Sequence, residues 1–135
     1  MTEDMTENAP EVKPAKPAVL IVDDELSLLD VISESLADEF EIVTTSSAKE
    51  AEQVMSGRAF DVVVCDHLMP GGAGLDFLVC AMERWPATRR IMFTGYMNPE
   101  LISRSVTIAE LSACLIKPVR SAELARVIRE ALKKQ

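Results

Sequence analysis

Four apolar runs of the sequence each end in a polar or charged side chain. The run AVLIV is followed by Asp23 and Asp24, VVVC by Asp66, IMF by Thr94 and CLI by Lys117. If these runs are parallel strands, their carboxyl ends meet at one edge of a sheet, where open α/β sheets bind ligands. Three carboxylates brought together in this way require a cation, and hard oxygen ligands with room for water suit Mg²⁺.

The side-chain types at this edge are those that phosphoryl transfer uses. A carboxylate such as Asp66 can act as a nucleophile and form an aspartyl-phosphate when a metal offsets the charge of the incoming group. The Lys117 ammonium can contact phosphoryl oxygens, and the Thr94 hydroxyl can donate a hydrogen bond to one. Gly95 is expected to leave room for the group. These residues predict a phosphoryl-accepting site centred on Asp66.

The rest of the pattern supplies the elements that would position these groups. Short apolar or β-branched runs alternate with segments whose apolar residues recur every three to four positions. The strands are predicted at 18–24, 40–46, 61–66, 89–96 and 112–118, and the helices at 25–36, 48–55, 74–85, 99–106 and 121–135. Ser47 is a predicted helix cap, and Pro99 suits the first turn of its helix.

This alternation predicts an α/β fold. Strands that are apolar throughout indicate a parallel sheet covered on both faces, and right-handed crossovers then give a doubly wound α/β sandwich. The 135 residues suit one domain. Residues 1–17, which are rich in Pro, Lys and Glu, are interpreted as a flexible N-terminal extension.

Composition excludes several classes of function. A net charge of −8 argues against direct nucleic-acid binding. The sequence has no apolar run of membrane-spanning length and no apolar N-terminal signal, so no membrane association and a cytoplasmic location are expected. The single histidine, His67, argues against a His-based zinc site and is predicted to be a solvent-facing loop residue. The three cysteines are predicted to be reduced core residues: Cys65, Cys80 and Cys114.

The motifs IVDDE, VVVCDHLMPGGAGLDFL, MFTGY and LIKP together resemble the receiver domain of two-component response regulators, over residues 18–135. The resemblance implies a (βα)5 sandwich with strand order 2-1-3-4-5. It also implies that Asp66 is the phosphoacceptor and that Mg²⁺, with Mn²⁺ as an alternative, is bound by Asp23, Asp24, Asp66 and the backbone carbonyl of Leu68.

The remaining motif residues receive roles from the same resemblance. Thr94 would be the switch hydroxyl, Lys117 would bind the phosphoryl group, and the Lys117–Pro118 bond would be cis. The expected donor is a phosphohistidine of a sensor histidine kinase or a histidine phosphotransfer protein. The expected target is a downstream output domain or protein, and a homodimer through helix 4, strand 5 and helix 5 is a further expectation. Such a protein is a signalling module and not a metabolic enzyme.

The sequence departs from the receiver pattern at the position three residues before Lys117. Most receivers carry Tyr or Phe there, whereas this chain has Cys114, so Tyr96 is the candidate substitute for the aromatic part of the switch. Thr94 and Lys117 are 23 residues apart, and with TGY this spacing resembles receivers joined to HD-GYP phosphodiesterase domains. Leu68 and Tyr96 are bulky and orient water poorly, which predicts slow loss of the phosphoryl group.

Three other functions are alternatives to a phosphorylated receiver. A phosphatase that forms an aspartyl-phosphate needs an acid two residues after its nucleophile, where this chain has Leu68. A Rossmann nucleotide-binding module needs GxGxxG after its first strand, which is absent. The third alternative is a degenerate receiver that acts only as a phosphate-independent interaction module; the presence of all five key side chains argues against degeneracy, and Cys114 argues mildly for an altered output.

Overall fold

The computed structural model describes residues 15–69, 72–95 and 98–133. The main sheet has the strands β1 Ala18–Val22, β2 Glu41–Thr45, β3 Val62–Asp66, β4 Arg89–Thr94 and β5 Ala113–Ile116. The helices are α1 Leu26–Leu36, α2 Ala48–Gly57, α3 Gly74–Arg84, α4 Pro99–Ala109 and α5 Ser121–Lys133. Strands and helices alternate as the sequence predicts.

The five strands are parallel and lie in the order β2-β1-β3-β4-β5. This is the predicted doubly wound sandwich, and its winding reverses between the neighbouring strands β1 and β3. Asp23 follows β1, and Asp66 is the last residue of β3. Because the winding reverses between these two strands, two of the predicted carboxylates lie side by side at the carboxyl edge of the sheet.

The sheet is covered on both faces, which explains why its strands are apolar throughout. One core joins the sheet to α1 and α5 and includes Ile32, Phe93 and Ile128. The other joins the sheet to α2, α3 and α4 and includes Leu20, Met92 and Leu78. β1 and β3 are buried at every position, because each contributes alternate side chains to the two cores.

Local capping sets several helix boundaries. Ser47 Oγ accepts a hydrogen bond from the amide of Glu50, as its predicted capping role requires. Asn98 caps α4 by accepting from the amides of Glu100 and Leu101, and Pro99 follows it at the start of the helix. α4 continues to Ala109, three residues beyond the predicted end at Val106.

A small feature between β3 and α3 was not predicted. Leu68–Met69 and Gly72–Ala73 form a two-stranded antiparallel ribbon. The Pro-Gly-Gly stretch at 70–72 indicates a turn, but two-residue strands are too short to produce a periodic pattern. β4 is also shorter than predicted and ends at Thr94.

Among the helices of the described residues, none combines the length and the apolar character that a membrane crossing requires. The expected N-terminal extension lies almost entirely outside the described residues, since the description begins at residue 15.

Candidate functional site

The predicted carboxylates do converge at the carboxyl edge of the sheet. One carboxylate oxygen each from Asp23, Asp24 and Asp66 lies within 4.8 Å of the others. Asp23 is fully buried and Asp66 is nearly so, whereas Asp24 is exposed. The Asp23 carboxylate is oriented locally, because its Oδ1 accepts a hydrogen bond of 2.9 Å from the amide of Glu25.

Lys117 reaches the same cluster from the end of β5. Its Nζ lies 2.9 Å from Asp23 Oδ2, 3.2 Å from Asp66 Oδ2 and 3.9 Å from Glu25 Oε1. The backbone amide of Lys117 donates to the carbonyl of Thr94, which ties the two strand ends together. The Lys117–Pro118 peptide bond is cis, the isomer that the resemblance implied.

The charges of this cluster perturb each other. Burial raises the pKa of Asp66, the negative charge of Asp23 raises it further, and the Lys117 ammonium opposes both. Burial lowers the pKa of Lys117, but the contacts with Asp23 and Asp66 outweigh burial, and the net effect raises it. Asp66 is therefore a carboxylate whose negative charge is only partly compensated by protein groups.

The donor set fits a divalent cation of the hard type. Three ionised carboxylates and one ammonium leave a formal charge of −2 within the cluster formed by Asp23, Asp24, Asp66 and Lys117. Carboxylate oxygens are the ligands that Mg²⁺ and Mn²⁺ accept, and the exposure of Asp24 leaves a path for water ligands.

An open cavity of about 230 Å³ lies next to the carboxylates and is lined by Asp66, Leu68, Thr94 and Gly95. Thr94 is 1% exposed, whereas Leu68 is 49% exposed. A side-chain carbon built at Gly95 would meet no atom within 4 Å, so the present packing does not require glycine there. The cavity brings the predicted phosphoacceptor and the predicted switch residue to one space.

Residues 19–129 match the family model described as the response regulator receiver domain. This chain belongs to the response regulator receiver family. The acidic cluster at the carboxyl ends of β1 and β3 is therefore the acidic site of a receiver domain, and the chain is a signalling module homologous to response regulators.

Curated relatives contain this receiver as one part of a longer chain. The hydrogenase transcriptional regulatory protein HoxA of Cupriavidus necator is 37% identical over 117 residues, which are 87% of this chain and 24% of HoxA. The response regulator protein PilR of Pseudomonas aeruginosa is 26% identical over 120 residues, which are 88% of this chain and 27% of PilR. The chain thus spans about a quarter of these relatives.

Solved structures share the receiver fold. The signal receiver domain of an HD domain-containing protein from Pseudomonas fluorescens has a TM-score of 0.82 at 26% identity, over 90% of both chains. The chemotaxis protein CheY4 of Vibrio cholerae has a TM-score of 0.81 at 26% identity, over 87% of this chain and all of CheY4. The first of these structures comes from an HD domain-containing protein, and the sequence resembles receivers that are joined to HD-GYP domains.

The prediction for His67 was wrong. His67 is only 7% exposed; its amide donates to the carbonyl of Phe93, and its carbonyl accepts from the amide of Gly74. These backbone bonds hold the residue after Asp66 against β4 and α3. All three cysteines are free thiols as predicted, but Cys65 alone is fully buried.

The structure describes one of the two residues predicted to alter the switch, Cys114, but not the other, Tyr96. Cys114 is half-buried in β5, pairs with Met92 of β4 and packs against the core on the α2–α4 face. Burial raises the pKa of its thiol. Tyr96 lies outside the described residues, so its proposed role as a substitute aromatic stays a prediction.

Gly74 is a positioning residue that the sequence reading did not identify. A side-chain carbon at Gly74 would lie 1.7 Å from the backbone oxygen of Asp66 and 3.0 Å from Cys65 Sγ. Only glycine lets the first residue of α3 approach the end of β3 so closely. Gly74 lies eight residues after Asp66, at the start of a helical pattern, and this position is the feature of the sequence that could have identified it.

Proposed function

We propose that this receiver takes a phosphoryl group on Asp66 from a phosphohistidine of a sensor histidine kinase or a histidine phosphotransfer protein. The observation that carries the proposal is the convergence of three carboxylates with Lys117, beside a cavity that Asp66 shares with Thr94. A cation-dependent phosphoacceptor needs this combination, because the incoming group adds negative charge to a site that is already acidic.

In the proposed step, a carboxylate oxygen of Asp66 attacks phosphorus while the N–P bond of the donor breaks. The electron pair of that bond leaves with the histidine ring, and a new O–P bond joins the phosphoryl group to Asp66. Asp23, Asp24, Asp66 and the backbone carbonyl of Leu68 would hold Mg²⁺ or Mn²⁺. The bound ion would supply positive charge to the phosphoryl oxygens.

The other residues would act on the product. The Lys117 ammonium, which lies 3.2 Å from Asp66 Oδ2 in the structure, would contact a phosphoryl oxygen. The Thr94 hydroxyl would donate a hydrogen bond to another phosphoryl oxygen, across the cavity that Thr94 and Asp66 line. The acyl phosphate carries up to about two negative charges where the carboxylate carried one, and this added charge is enough to bias a loop and a helix between two arrangements.

We place the output surface on α4, β5 and α5. Val106 and Ile108 of α4 are 36% and 45% exposed, which leaves apolar side chains for a downstream domain or protein or for a second copy in a homodimer. The donor and the receiver would meet in the cytoplasm. By analogy with the hydrogenase transcriptional regulatory protein HoxA, the output is proposed to be control of transcription.

A second function is favoured by one observation. Cys114 occupies the position where most receivers have an aromatic ring, and it packs beside Met92 instead of offering a ring to the switch. A phosphate-independent interaction module would need no such ring. The phosphatase alternative has no comparable support, since Leu68, the residue in the position of its acid, is apolar.

The test is intact-mass spectrometry after incubation with acetyl phosphate, with Mg²⁺ and with EDTA. The proposal predicts one phosphoryl adduct with Mg²⁺, none with EDTA and none in Asp66→Asn. Asp38→Asn, at an exposed position after α1, is the matched control and should form the adduct. A folded protein that forms no adduct from acetyl phosphate or from a phosphorylated histidine phosphotransfer protein would favour the interaction module.

A further inference from the structure

The guanidinium of Arg90 is buried near the start of β4, at the opposite end of this strand from the acidic site. Arg90 is the second residue of β4, whereas Thr94 ends that strand at the site. Arg90 is 6% exposed, and burial lowers its pKa, since a guanidinium loses hydration there. A buried cation in a domain core needs compensating contacts.

The contacts of Arg90 are backbone carbonyls at the C-terminal end of α4 and before β4. Nε donates to the carbonyl of Ala109 at 2.9 Å, and Nη2 donates to that of Glu110 at 3.2 Å. Nη1 donates to the carbonyls of Thr88 at 2.6 Å and Pro86 at 3.4 Å. The planar fork of the guanidinium thus joins the end of α4 to the segment that leads into β4.

Side-chain hydrogen-bond donors stabilise the C-terminal end of a helix such as α4. The last carbonyls of a helix have no partners within the helix and carry the negative end of its dipole. Glu110 has a φ of 49°, in the left-handed region that residues other than glycine seldom adopt. The amide of Leu111 donates to Val106, and that of Ser112 donates to the carbonyl of Arg90 itself.

Side-chain packing anchors α4 only weakly. Its buried residues are the small Ser105 and Ala109, while Val106 and Ile108 face outward. The hydroxyl of Ser105 donates to Leu101 within the same helix. The apolar contacts that normally hold a surface helix on a sheet are therefore few, which makes the polar contacts at its C-terminal end more important.

We propose that Arg90 is a positioning residue that clamps the C-terminal end of α4 and the following loop, so that displacement of α4 is confined to its N-terminal end. That end follows Thr94 and Gly95 along the chain, and it would turn about the Arg90 contacts when the site is phosphorylated. This second part rests on the proposed function, whereas the clamp itself does not.

The basal test is residue-resolved hydrogen exchange by NMR on the full chain without phosphodonor. Arg90→Met keeps an unbranched apolar side chain but removes all donors, and the amides of Leu111 and Ser112 should exchange at least tenfold faster. Arg90→Lys keeps the charge without the fork and should give a smaller acceleration. Arg89→Met is the matched control, because the Arg89 guanidinium donates to Ala87 at the exposed surface; it should leave both amides unchanged.

Unchanged exchange at Leu111 and Ser112 in both Arg90 variants would overturn the clamp. So would equal acceleration of these amides and of amides throughout the sheet, since that pattern reports global destabilisation. If Arg90→Met does not fold, Arg90→Lys and Arg89→Met still decide the question through the same two amides.

The second arm compares the wild-type protein before and after phosphorylation with acetyl phosphate and Mg²⁺, with the adduct verified by mass. The exchange rates of residues 100–104 should change at least threefold more than those of residues 110–112. Equal changes at both ends of α4 would overturn the confinement. Absence of an adduct would contradict the proposed function and leave the clamp to be decided by the basal test.

Discussion

The ammonium nitrogen of Lys117 lies 3.2 Å from Oδ2 of Asp66. Oδ2 of the buried Asp23 lies even closer, at 2.9 Å, so one cation serves two carboxylates from neighbouring strands. This shared pairing stabilises an otherwise repulsive cluster, and it places the cation where a phosphoryl group on Asp66 would need it.

Removing the Lys117 ammonium should destabilise the metal-free protein. In Lys117→Met the buried Asp23 carboxylate loses its cation, and breaking such a pair costs roughly 1–3 kcal/mol for a partly exposed lysine. Chemical denaturation without metal measures the free energy of unfolding. Lys16→Met is the control, since exposed Lys16 only donates to the carbonyl of Ala37; an equal loss in both variants would contradict the pairing argument.

Replacing Asp66 by Asn should stabilise the metal-free protein at neutral pH, because the Asp66 carboxylate is largely buried beside the carboxylate of Asp23. The pKa of Asp66 is raised above its ordinary value of 3.8, so the folded state binds this proton more tightly than the unfolded state. The resulting penalty grows as pH rises through the folded pKa, and it vanishes below 3.8. Denaturation of both proteins at several pH values should show the gain shrinking towards acid; a constant difference would count against the charge effect.

A divalent cation should stabilise the protein by mass action, because the carboxylate cluster exists in the folded state only. The melting temperature should rise with Mg²⁺ concentration in the wild type. In Asp24→Asn the metal-free melting temperature should be nearly unchanged, since Asp24 is exposed, whereas the Mg²⁺-induced rise should be smaller. Asp38→Asn should respond to Mg²⁺ as the wild type does, and an equal response in Asp24→Asn would remove Asp24 from the ligand set.

Gly74→Ala should distort the backbone between Asp66 and α3. Its methyl carbon would overlap the backbone oxygen of Asp66, at 1.7 Å, and overpacking of this kind costs roughly 1–3 kcal/mol or more. Gly57→Ala is the matched control, because a carbon there meets no atom within 4 Å and alanine favours a helix. Thermal unfolding of both variants compares the two sites, and similar stability would show that this backbone yields easily.

Leu68→Asn should shorten the life of the phosphorylated state. Leu68 lines the cavity beside Asp66 and is half-exposed, and an amide there can orient water where leucine cannot. Loss of the adduct followed by mass after removal of the donor gives the rate. Leu26→Asn, at an exposed position of α1, should lose the phosphoryl group at the parent rate, and a Leu68→Asn variant that behaves identically would remove Leu68 from this role.

The sequence predicts the sheet and the convergence of Asp23, Asp66 and Lys117 because both follow from apolar runs and parallel topology. It does not predict the burial of His67, which depends on backbone bonds to Phe93 and Gly74 from distant segments. The sequence does not predict the contacts of Arg90 with α4 either, because they also join distant segments. An arginine at the start of a strand normally indicates an exposed edge.

The most direct test of Asp66 as the phosphoacceptor is borohydride trapping followed by peptide mass mapping. The protein is first treated with acetyl phosphate and Mg²⁺, and reduction then converts an acyl phosphate of aspartate to homoserine. The account predicts homoserine at position 66 alone. Homoserine at Asp23 or Asp24, or an adduct that survives in Asp66→Asn, would contradict it.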